Sequence, residues 1–269
     1  MLHHSWHLNL IVVAACLLPS TALCQKYAPS QEKPPVVTRE FRGAWVASVF
    51  NIDWPSSRGL SKSAQQSELR AMLDQMAKIK LNAIIFQVRT NGDALYKSGI
   101  EPWSPWLTGT MGRSPGYDPL AFCITEAHAR GIEVHAWFNP FRALPNSSMQ
   151  TSRDHVCRTH PSQICDFKTY RWMNPASSFT RQRALSVILD VTRRYDIDGI
   201  HIDDYFYPYP DLAKNGKHKQ HFPDGKSPSQ RRGYVDSFVQ EMYSSVKKAK
   251  PWVRVGISPF GIWRPGVPS

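Results

Sequence analysis

The chain alternates short apolar runs with longer amphipathic segments, and this alternation constrains the fold more than any other feature of the sequence. Apolar runs of strand length occupy residues 41–48, 82–89, 132–138, 198–203 and 253–258. Segments with apolar residues at helical spacing occupy residues 63–80, 118–131, 177–195 and 229–250, with Asp118 as an expected N-cap. A strand–helix unit repeated in this way predicts a parallel β-sheet covered by helices.

Loop lengths distinguish the two ends of the predicted sheet. The helix-to-strand links are one or two residues long, whereas the strand-to-helix links cover about residues 90–117, 139–176 and 204–228. Only the carboxyl end of the strands therefore carries long loops, and in a (β/α)8 barrel that end forms the active site. A doubly wound sheet also binds ligands at its carboxyl edge. The first strand runs into VFNIDWPSS rather than a glycine-rich phosphate loop, which favours the barrel.

The predicted fold class is α/β, of the TIM (β/α)8 barrel type. A complete barrel takes about 250 residues, yet only five strands are identified in this chain of 269 residues. We therefore expect about five β/α units, in a barrel domain over residues 39–269 that is incomplete at its C-terminus.

The first 38 residues differ in composition from the predicted barrel. Residues 8–18 form an uncharged apolar run, too short for the about 20 residues of a membrane span. Ala22 and Cys24 suit the small-residue positions of a cleavage site, although the preceding residues include three His and no Lys or Arg. We expect a signal peptide over residues 1–24, a proline-containing linker over 25–38, and export to the periplasm or the extracellular space without a stable membrane span.

The formal net charge of +12 favours an anionic partner such as an acidic glycan, a nucleic acid or an anionic envelope. We expect no nucleic-acid binding, because the sequence has neither a contiguous block of Lys and Arg nor a nucleic-acid motif. Composition leaves the oligomeric state open. Cys157 and Cys165 flank RTHPSQI and can close a small disulfide in an oxidising compartment, a pairing that the sequence leaves open. Cys123 is expected to be a buried thiol.

Alternation along the strands places polar side chains at the carboxyl end of the barrel. The inward residues nearest that end are Gln87, Arg89, Asn139, Asp203 and Ser258. Such a ring of polar groups is costly unless it binds a polar ligand or pairs internally. A carboxylate at the end of a barrel strand favours a catalytic role for Asp203. The alternative is a structural salt bridge between Asp203 and Arg89.

Glycoside hydrolysis needs two carboxyl groups about 5 to 9.5 Å apart. Asp204 faces away from Asp203 if the strand is regular and toward it if the strand ends there, so it is one candidate for the second group. Glu101 and Asp93 are others, and the C-terminal strands missing from the predicted barrel are a further source. A metal site built from His135, His201, Asp203 and Asp204 is an alternative, but the sequence has no HxH or HExxH spacing. We expect neither a metal nor another cofactor.

Aromatic residues are concentrated in the predicted loops and favour stacking on sugar rings. Some of them are also expected to form a small core within the loops. Candidate substrate contacts, together with the polar residues Gln87, Arg89 and Asn139, are Trp103, Trp137, Tyr205, Tyr207 and Trp263.

Several segments together resemble the glycosyl hydrolase-like 10 family, over about residues 39–266. They are FRGAWVAS, FQVRTNGDALYKSGIEPWSPWLTG, GYDPLAF, EAHARGIEVHAWFNPFR, YDIDGIHIDDYFYPYP and PWVRVGISPFGIWR. The resemblance implies a (β/α)8 barrel in a bacterial envelope or secreted protein, and hydrolysis of glycan strands, including peptidoglycan. The GIHIDD match implies Asp203 as the leading catalytic candidate with Asp204 beside it, and the IEPW match implies Glu101 as an acid or a substrate contact.

The sequence thus predicts an exported glycoside hydrolase that acts on a bacterial glycan polymer, with peptidoglycan glycan strands as a candidate, by carboxylate acid/base catalysis. The alternative is a non-catalytic glycan-binding remnant of such an enzyme.

Overall fold

A computed structural model of the chain describes residues 40–167, 169–208 and 224–259, and the backbone of two short strands between 208 and 224. The chain divides into two units, Met1–Glu40 and Phe41–Ser269, and all elements below belong to the second. The predicted signal peptide and linker lie outside the described residues.

The described part of the chain contains ten strands and six α-helices. The strands are β1 (Gly43–Val46), β2 (Ala83–Arg89), β3 (Glu133–Phe138), β4 (Arg142–Leu144), β5 (Ile164–Phe167), β6 (Tyr170–Met173), β7 (Gly199–Ile202), β8 (Asp211–Leu212), β9 (His218–Lys219) and β10 (Arg254–Ile257). The helices are α1 (Lys62–Lys78), α2 (Pro105–Thr108), α3 (Pro119–His128), α4 (Val156–Thr159), α5 (Ser178–Arg194) and α6 (Pro228–Ala249).

The central sheet has five parallel strands in the order β1-β2-β3-β7-β10. Each strand lies beside the strand that precedes it in the sheet along the chain, and the order never reverses. This is the strand order of a (β/α)8 barrel, whereas a doubly wound sheet reverses at its switch point. The predicted α/β fold with five barrel-type units is confirmed. Among the described strands, β1 and β10 each pair with a single neighbour, so the described sheet is open.

The long helices begin where the sequence supplies side-chain caps. Asp118 accepts a hydrogen bond from the backbone N–H of Ala121 at 3.0 Å, which confirms it as the N-cap of α3. Ser227 and Gln230 form a capping box at the start of α6. The first backbone N–H groups of a helix have no carbonyl partner within the helix, and these side chains accept hydrogen bonds from them. Each of the two helices therefore starts at a defined residue.

Strand alternation separates the core from the inner face of the sheet. Ile84, Phe86, Val134, Ile200 and Ile202 are fully buried against helices and form the core. Burial of each such side chain stabilises the fold by about 1.5–3 kcal/mol.

The opposite, inner face carries rings that contact one another. The Trp45 ring lies 4.6 Å from the ring of Trp137 and 4.4 Å from that of His201. The neighbouring strand provides room for His201 through Gly256, where a Cβ atom would lie 2.8 Å from its Nδ1. The predicted inward direction of His201 and Trp137 therefore holds in the structure.

The loop after β3 contains an antiparallel sheet, in the order β4-β6-β5, that the sequence did not predict. Its strands have only three or four residues, too few for a reliable alternation signal. Trp172 of β6 is fully buried and its indole N–H donates to Phe206 O at 3.2 Å, which attaches this sheet to the loop after β7. Cys157 of α4 and Cys165 of β5 are free thiols in this structure. Within the described residues, no helix is long and apolar enough to cross a membrane.

Candidate active site

Three polar side chains from adjacent strands form a hydrogen-bonded row that ends at Asp203. Gln87 Oε1 accepts hydrogen bonds from the backbone N–H groups of Ser48, at 2.9 Å, and Val49, at 3.0 Å. Its Nε2 therefore points the other way and donates to Asn139 Oδ1 at 2.5 Å. Asn139 Nδ2 in turn donates to Asp203 Oδ2. Each bond fixes the orientation of the next amide, so the row always presents a donor to Asp203.

Asp203 lies directly after β7, at the carboxyl end of the sheet. Its second oxygen, Oδ1, accepts from the backbone N–H of Tyr205 at 3.2 Å. Burial raises the pKa of the Asp203 carboxyl; nearby Arg142 and the two hydrogen bonds oppose that rise, and the negative charge of Asp204 adds to it. Asp203 is therefore held in a fixed orientation while its proton is retained to a higher pH than that of an ordinary aspartate.

Glu101 has a different environment on the same side of the sheet. Arg89 Nε and one terminal nitrogen donate to its two oxygens, both at 2.7 Å, and both side chains are buried. Arg183 Nε lies 3.4 Å from Glu101 Oε1. Arg89 thus forms a bidentate ion pair with the carboxylate, and Arg183 adds a second positive charge nearby. Arg89 pairs with Glu101, and the alternative salt bridge between Arg89 and Asp203 is not formed.

Asp93 closes the turn after β2. It accepts hydrogen bonds from the backbone and hydroxyl of Thr90 and from the backbone N–H of Asn91, at 2.8–3.0 Å. The side chain is fully buried, and these bonds account for its position. Asp93 therefore stabilises the loop after β2.

The predicted substrate contacts fall into different environments. Gln87, Arg89 and Asn139 are buried and bonded to other protein groups, so they support the site from below. Tyr205 is buried beside Asp203, and Trp137 is buried on the inner face with its indole N–H unbonded to any described residue.

The other predicted aromatics lie farther into the loops or outside the described residues. Trp103 packs against the main core, and the Tyr207 ring lies 5.4 Å from the ring of Trp172. Trp263 is outside the described residues. A substrate contact by any of these residues remains a prediction.

A pocket of about 210 Å³ is lined in part by Tyr205 and Arg142. The backbone N–H of Tyr205 donates to Asp203, and the charge of Arg142 opposes the rise in the pKa of the Asp203 carboxyl, so these two residues link the pocket to Asp203. The Arg142 guanidinium lies 3.9 Å above the centre of the Tyr205 ring. The pocket is lined by Phe50, Asn91, Arg142, Leu144, Pro145, Tyr170, Arg171 and Tyr205. It thus combines aromatic rings with two cationic groups.

Most of these lining residues were not identified from the sequence. Phe50, Arg142 and Tyr170 lie in loops or in the small antiparallel sheet, where no periodic pattern fixes the direction of a side chain. The available signal was the FNPFR segment, which begins at the end of β3 and places Arg142 three residues after Asn139.

The histidines considered as metal ligands have other neighbours. His135 Nε2 lies 3.1 Å from Glu133 Oε2, on the strand rather than at the mouth. Burial and neighbouring His135 lower the pKa of His201 to about 4, so the ring is neutral near neutral pH. The described residues contain no group of three His, Cys, Asp or Glu side chains placed to hold a metal ion.

Comparison with known proteins places the chain among sugar-cleaving relatives. The sequence profile of the glycosyl hydrolase-like 10 family matches residues 40–266. The chain belongs to this family. It is 42% identical over 234 residues to the glycosyl hydrolase YngK of Bacillus subtilis, covering 84% of this chain and 46% of YngK. It is 34% identical over 261 residues to the glycosyl hydrolase DigH of Escherichia coli K12, covering 88% and 60% of the two chains. The chain therefore spans about half the length of these curated relatives.

A solved structure resembles the fold. Alpha-L-fucosidase isoenzyme 2 from Paenibacillus thiaminolyticus aligns with a TM-score of 0.54 at 13% sequence identity, covering 82% of this chain and 32% of the fucosidase. At this identity the likeness concerns the fold alone. It agrees with the barrel-type order of strands and helices.

Proposed function

We propose that this protein is a glycoside hydrolase that cleaves a bacterial glycan polymer, with peptidoglycan glycan strands as the substrate class. The observation that carries this proposal is the environment of Asp203. This carboxyl follows a barrel strand, is oriented by the row from Gln87, and adjoins a pocket of aromatic and cationic side chains. Membership of the glycosyl hydrolase-like 10 family supports it.

In the proposed reaction Asp203 exchanges a proton with the substrate. A raised pKa allows a carboxyl group to hold its proton near the working pH, as a general acid requires, and to take it back as a base. The donors from Asn139 and Tyr205 fix the direction of each oxygen. The negative charge of Asp204 then stabilises the oxocarbenium-like transition state of glycoside cleavage.

The second carboxyl group of the proposed reaction is Asp204. Glu101 and Asp93, the other acids considered from the sequence, are both held in internal bonds. Asp204 follows the end of β7, where the chain is no longer held to strand alternation, and its negative charge acts on Asp203. The proposed pair therefore consists of adjacent residues at the end of one strand.

An acidic glycan suits the charge of the pocket. Arg142 and Arg171 both line it, and Arg142 Nε is a buried donor that bonds to no described residue. Tyr170 adds a half-buried ring on which the apolar side of a sugar can stack. A substrate of this kind is found outside the bacterial cytoplasm, so we also propose export to the periplasm or the extracellular space, directed by the apolar run at residues 8–18.

The proposal is tested by measuring the reducing ends released from purified peptidoglycan by the wild-type chain and by Asp203→Asn. We expect release by the wild type and none above background by the variant. If both proteins bind the glycan and neither releases reducing ends, the chain is a glycan-binding protein and the hydrolase proposal is wrong.

A further inference from the structure

Two consecutive residues after β1 adopt a left-handed backbone conformation. Phe50 has φ 57° and ψ 14°, and the φ of Asn51 is 56°. This conformation is uncommon outside glycine and unfavourable for a bulky side chain such as phenylalanine. Strained backbone of this kind persists only where the surrounding structure holds it, and it is concentrated at functional sites.

Hydrogen bonds to Gln87 of the candidate active site, and others made by the side chain of Asn51, hold the strained turn in place. Asn51 Nδ2 donates to the carbonyl oxygens of Pro55 and Trp106, both at 2.9 Å. The preceding residues Ser48 and Val49 donate their backbone N–H groups to Gln87, the first member of the row that ends at Asp203. The position of the turn is therefore coupled to the position of Asp203.

The strained backbone holds the aromatic ring of Phe50 in solvent. Phe50 has 55% of its surface exposed, whereas most aromatic residues around the mouth are buried or half-buried. Its ring leans on the buried ring of Trp106 at 5.1 Å, with 53° between the two planes. A core role does not explain a side chain that is mostly in water and held there by an unfavourable backbone.

Phe50 lies between two concave surfaces. It lines the pocket of about 210 Å³ beside Asp203, and it also lines a broader cleft of about 820 Å³. The cleft continues along Trp106, Met111, Asn146 and Gln150. The ring is therefore the shared wall of an inner pocket and an outer cleft.

We propose that Phe50 is a stacking platform for one sugar ring, and that the outer cleft binds the sugars that continue beyond it. The protein would then bind a stretch of glycan several rings long rather than only a chain end. This inference rests on the proposed function, because it takes a glycan as the ligand. The apolar face of a sugar would cover an aromatic ring that is otherwise left in water, and removing that apolar surface from water is favourable.

The binding test uses Asp203→Asn as the background, so that no ligand is cleaved. Calorimetry measures the affinity for peptide-free glycan oligomers of peptidoglycan, with alternating N-acetylglucosamine and N-acetylmuramic acid, of two, four and six rings. We expect affinity to rise with length, and Phe50→Ala to lower the affinity for the six-ring oligomer at least tenfold while changing that for the two-ring oligomer less than twofold. Phe50→Trp should retain the length dependence. Tyr243→Ala is the matched control, since Tyr243 is 52% exposed on α6, away from both concave surfaces.

The role of the backbone strain is tested by comparing Phe50→Gly with Phe50→Ala. Both variants lack the ring, but only glycine adopts the left-handed conformation without strain. We expect both to bind the six-ring oligomer equally weakly, and the glycine variant to unfold at a higher temperature than the alanine variant. Equal unfolding temperatures would remove the argument from strain.

The outcomes separate this inference from the proposed hydrolase activity. If Phe50→Ala binds the six-ring oligomer as tightly as its Asp203→Asn parent, the platform is wrong and the hydrolase proposal is unaffected. Length-dependent binding that requires Phe50, in a chain that releases no reducing ends, supports the platform and contradicts the hydrolase. Absence of binding to all three oligomers contradicts the platform.

Discussion

Two acids of the candidate site, Glu101 and Asp203, carry the same functional group in opposite environments. Glu101 is enclosed by the guanidinium groups of Arg89 and Arg183, with both oxygens bonded to Arg89. Asp203 has neutral donors, the Asn139 amide and the Tyr205 backbone, and a cation nearby in Arg142. A bidentate ion pair holds a carboxylate in place, whereas an acid with a raised pKa is suited to proton exchange. The contrast predicts a structural role for Glu101 and a chemical role for Asp203.

The largest expected effect is the loss of activity in Asp203→Asn. An amide cannot exchange the proton, so we expect the turnover rate to fall by about 10²–10⁴-fold, the usual contribution of a general acid or base. The fold should be retained, because asparagine has the same shape. Reducing-end release measures the first effect and thermal unfolding the second. Asp74→Asn, in an exposed pair with Arg130, is a control that should keep full activity.

The same exchange at Glu101 should act mainly on stability. Glu101→Gln leaves two guanidinium groups without their counter-charge in a buried position, and breaking a buried ion pair typically costs about 3–5 kcal/mol of the free energy of unfolding. Urea unfolding measures this loss. Glu126→Gln, which weakens partly exposed pairs with Arg70 and Arg130, should cost less, up to about 1 kcal/mol for each pair. Full stability with lost activity in Glu101→Gln would instead place Glu101 in the chemistry.

A third change alters the row while leaving Asp203 intact. Gln87→Glu still accepts from Ser48 and Val49 but has no donor for Asn139, so the Asn139 amide should turn and present its oxygen to Asp203. Loss of a hydrogen bond to a charged group costs about 1.5–3 kcal/mol, or about 10–100-fold in rate if it acts on the transition state. The pKa of Asp203 should rise further, which carbon NMR of the labelled carboxyl group measures without any activity assay.

The matched control for this row is Gln65→Glu. Gln65 is also a buried glutamine, whose Nε2 donates to the carbonyl oxygens of Leu60 and Leu107, but none of its bonds reaches Asp203. It should lose stability with no change in the Asp203 titration. If both variants shift that titration equally, the row does not control Asp203.

Strand alternation was sufficient to predict which side chains meet below the mouth. Gln87, Asn139 and Asp203 share the inner face because side chains on a strand point alternately to the two faces, and parallel strands align their carboxyl ends. The hydrogen bonds between these residues follow from that geometry. The alternation of residues along single strands was therefore enough to predict this part of the site.

The contacts made by loop residues could not be predicted from the periodicity of the sequence. A salt bridge between Arg89 and Asp203 was the alternative interpretation of the sequence, and Arg89 bonds instead to Glu101, which lies twelve residues later in an irregular loop. The choice between two acids depends on the path of that loop, which no periodic pattern gives. Phe50 was missed for a related reason, since its left-handed conformation falls on a residue type that does not favour it.

The smallest expected effect is on the pH dependence of stability, and it arises from Asp203. Burial raises the pKa of Asp203 in the folded protein above its unfolded value of about 3.9. The neutral form is favoured by folding, so this contribution is fully present below the unfolded pKa and is lost as the pH rises through the folded pKa. Wild type should therefore lose stability relative to Asp203→Asn over that interval, with Arg142 and Asp204 present in both proteins. Urea unfolding of the pair from pH 3 upward measures the difference, and a difference that stays constant with pH would mean that Asp203 titrates alike in the folded and unfolded chains.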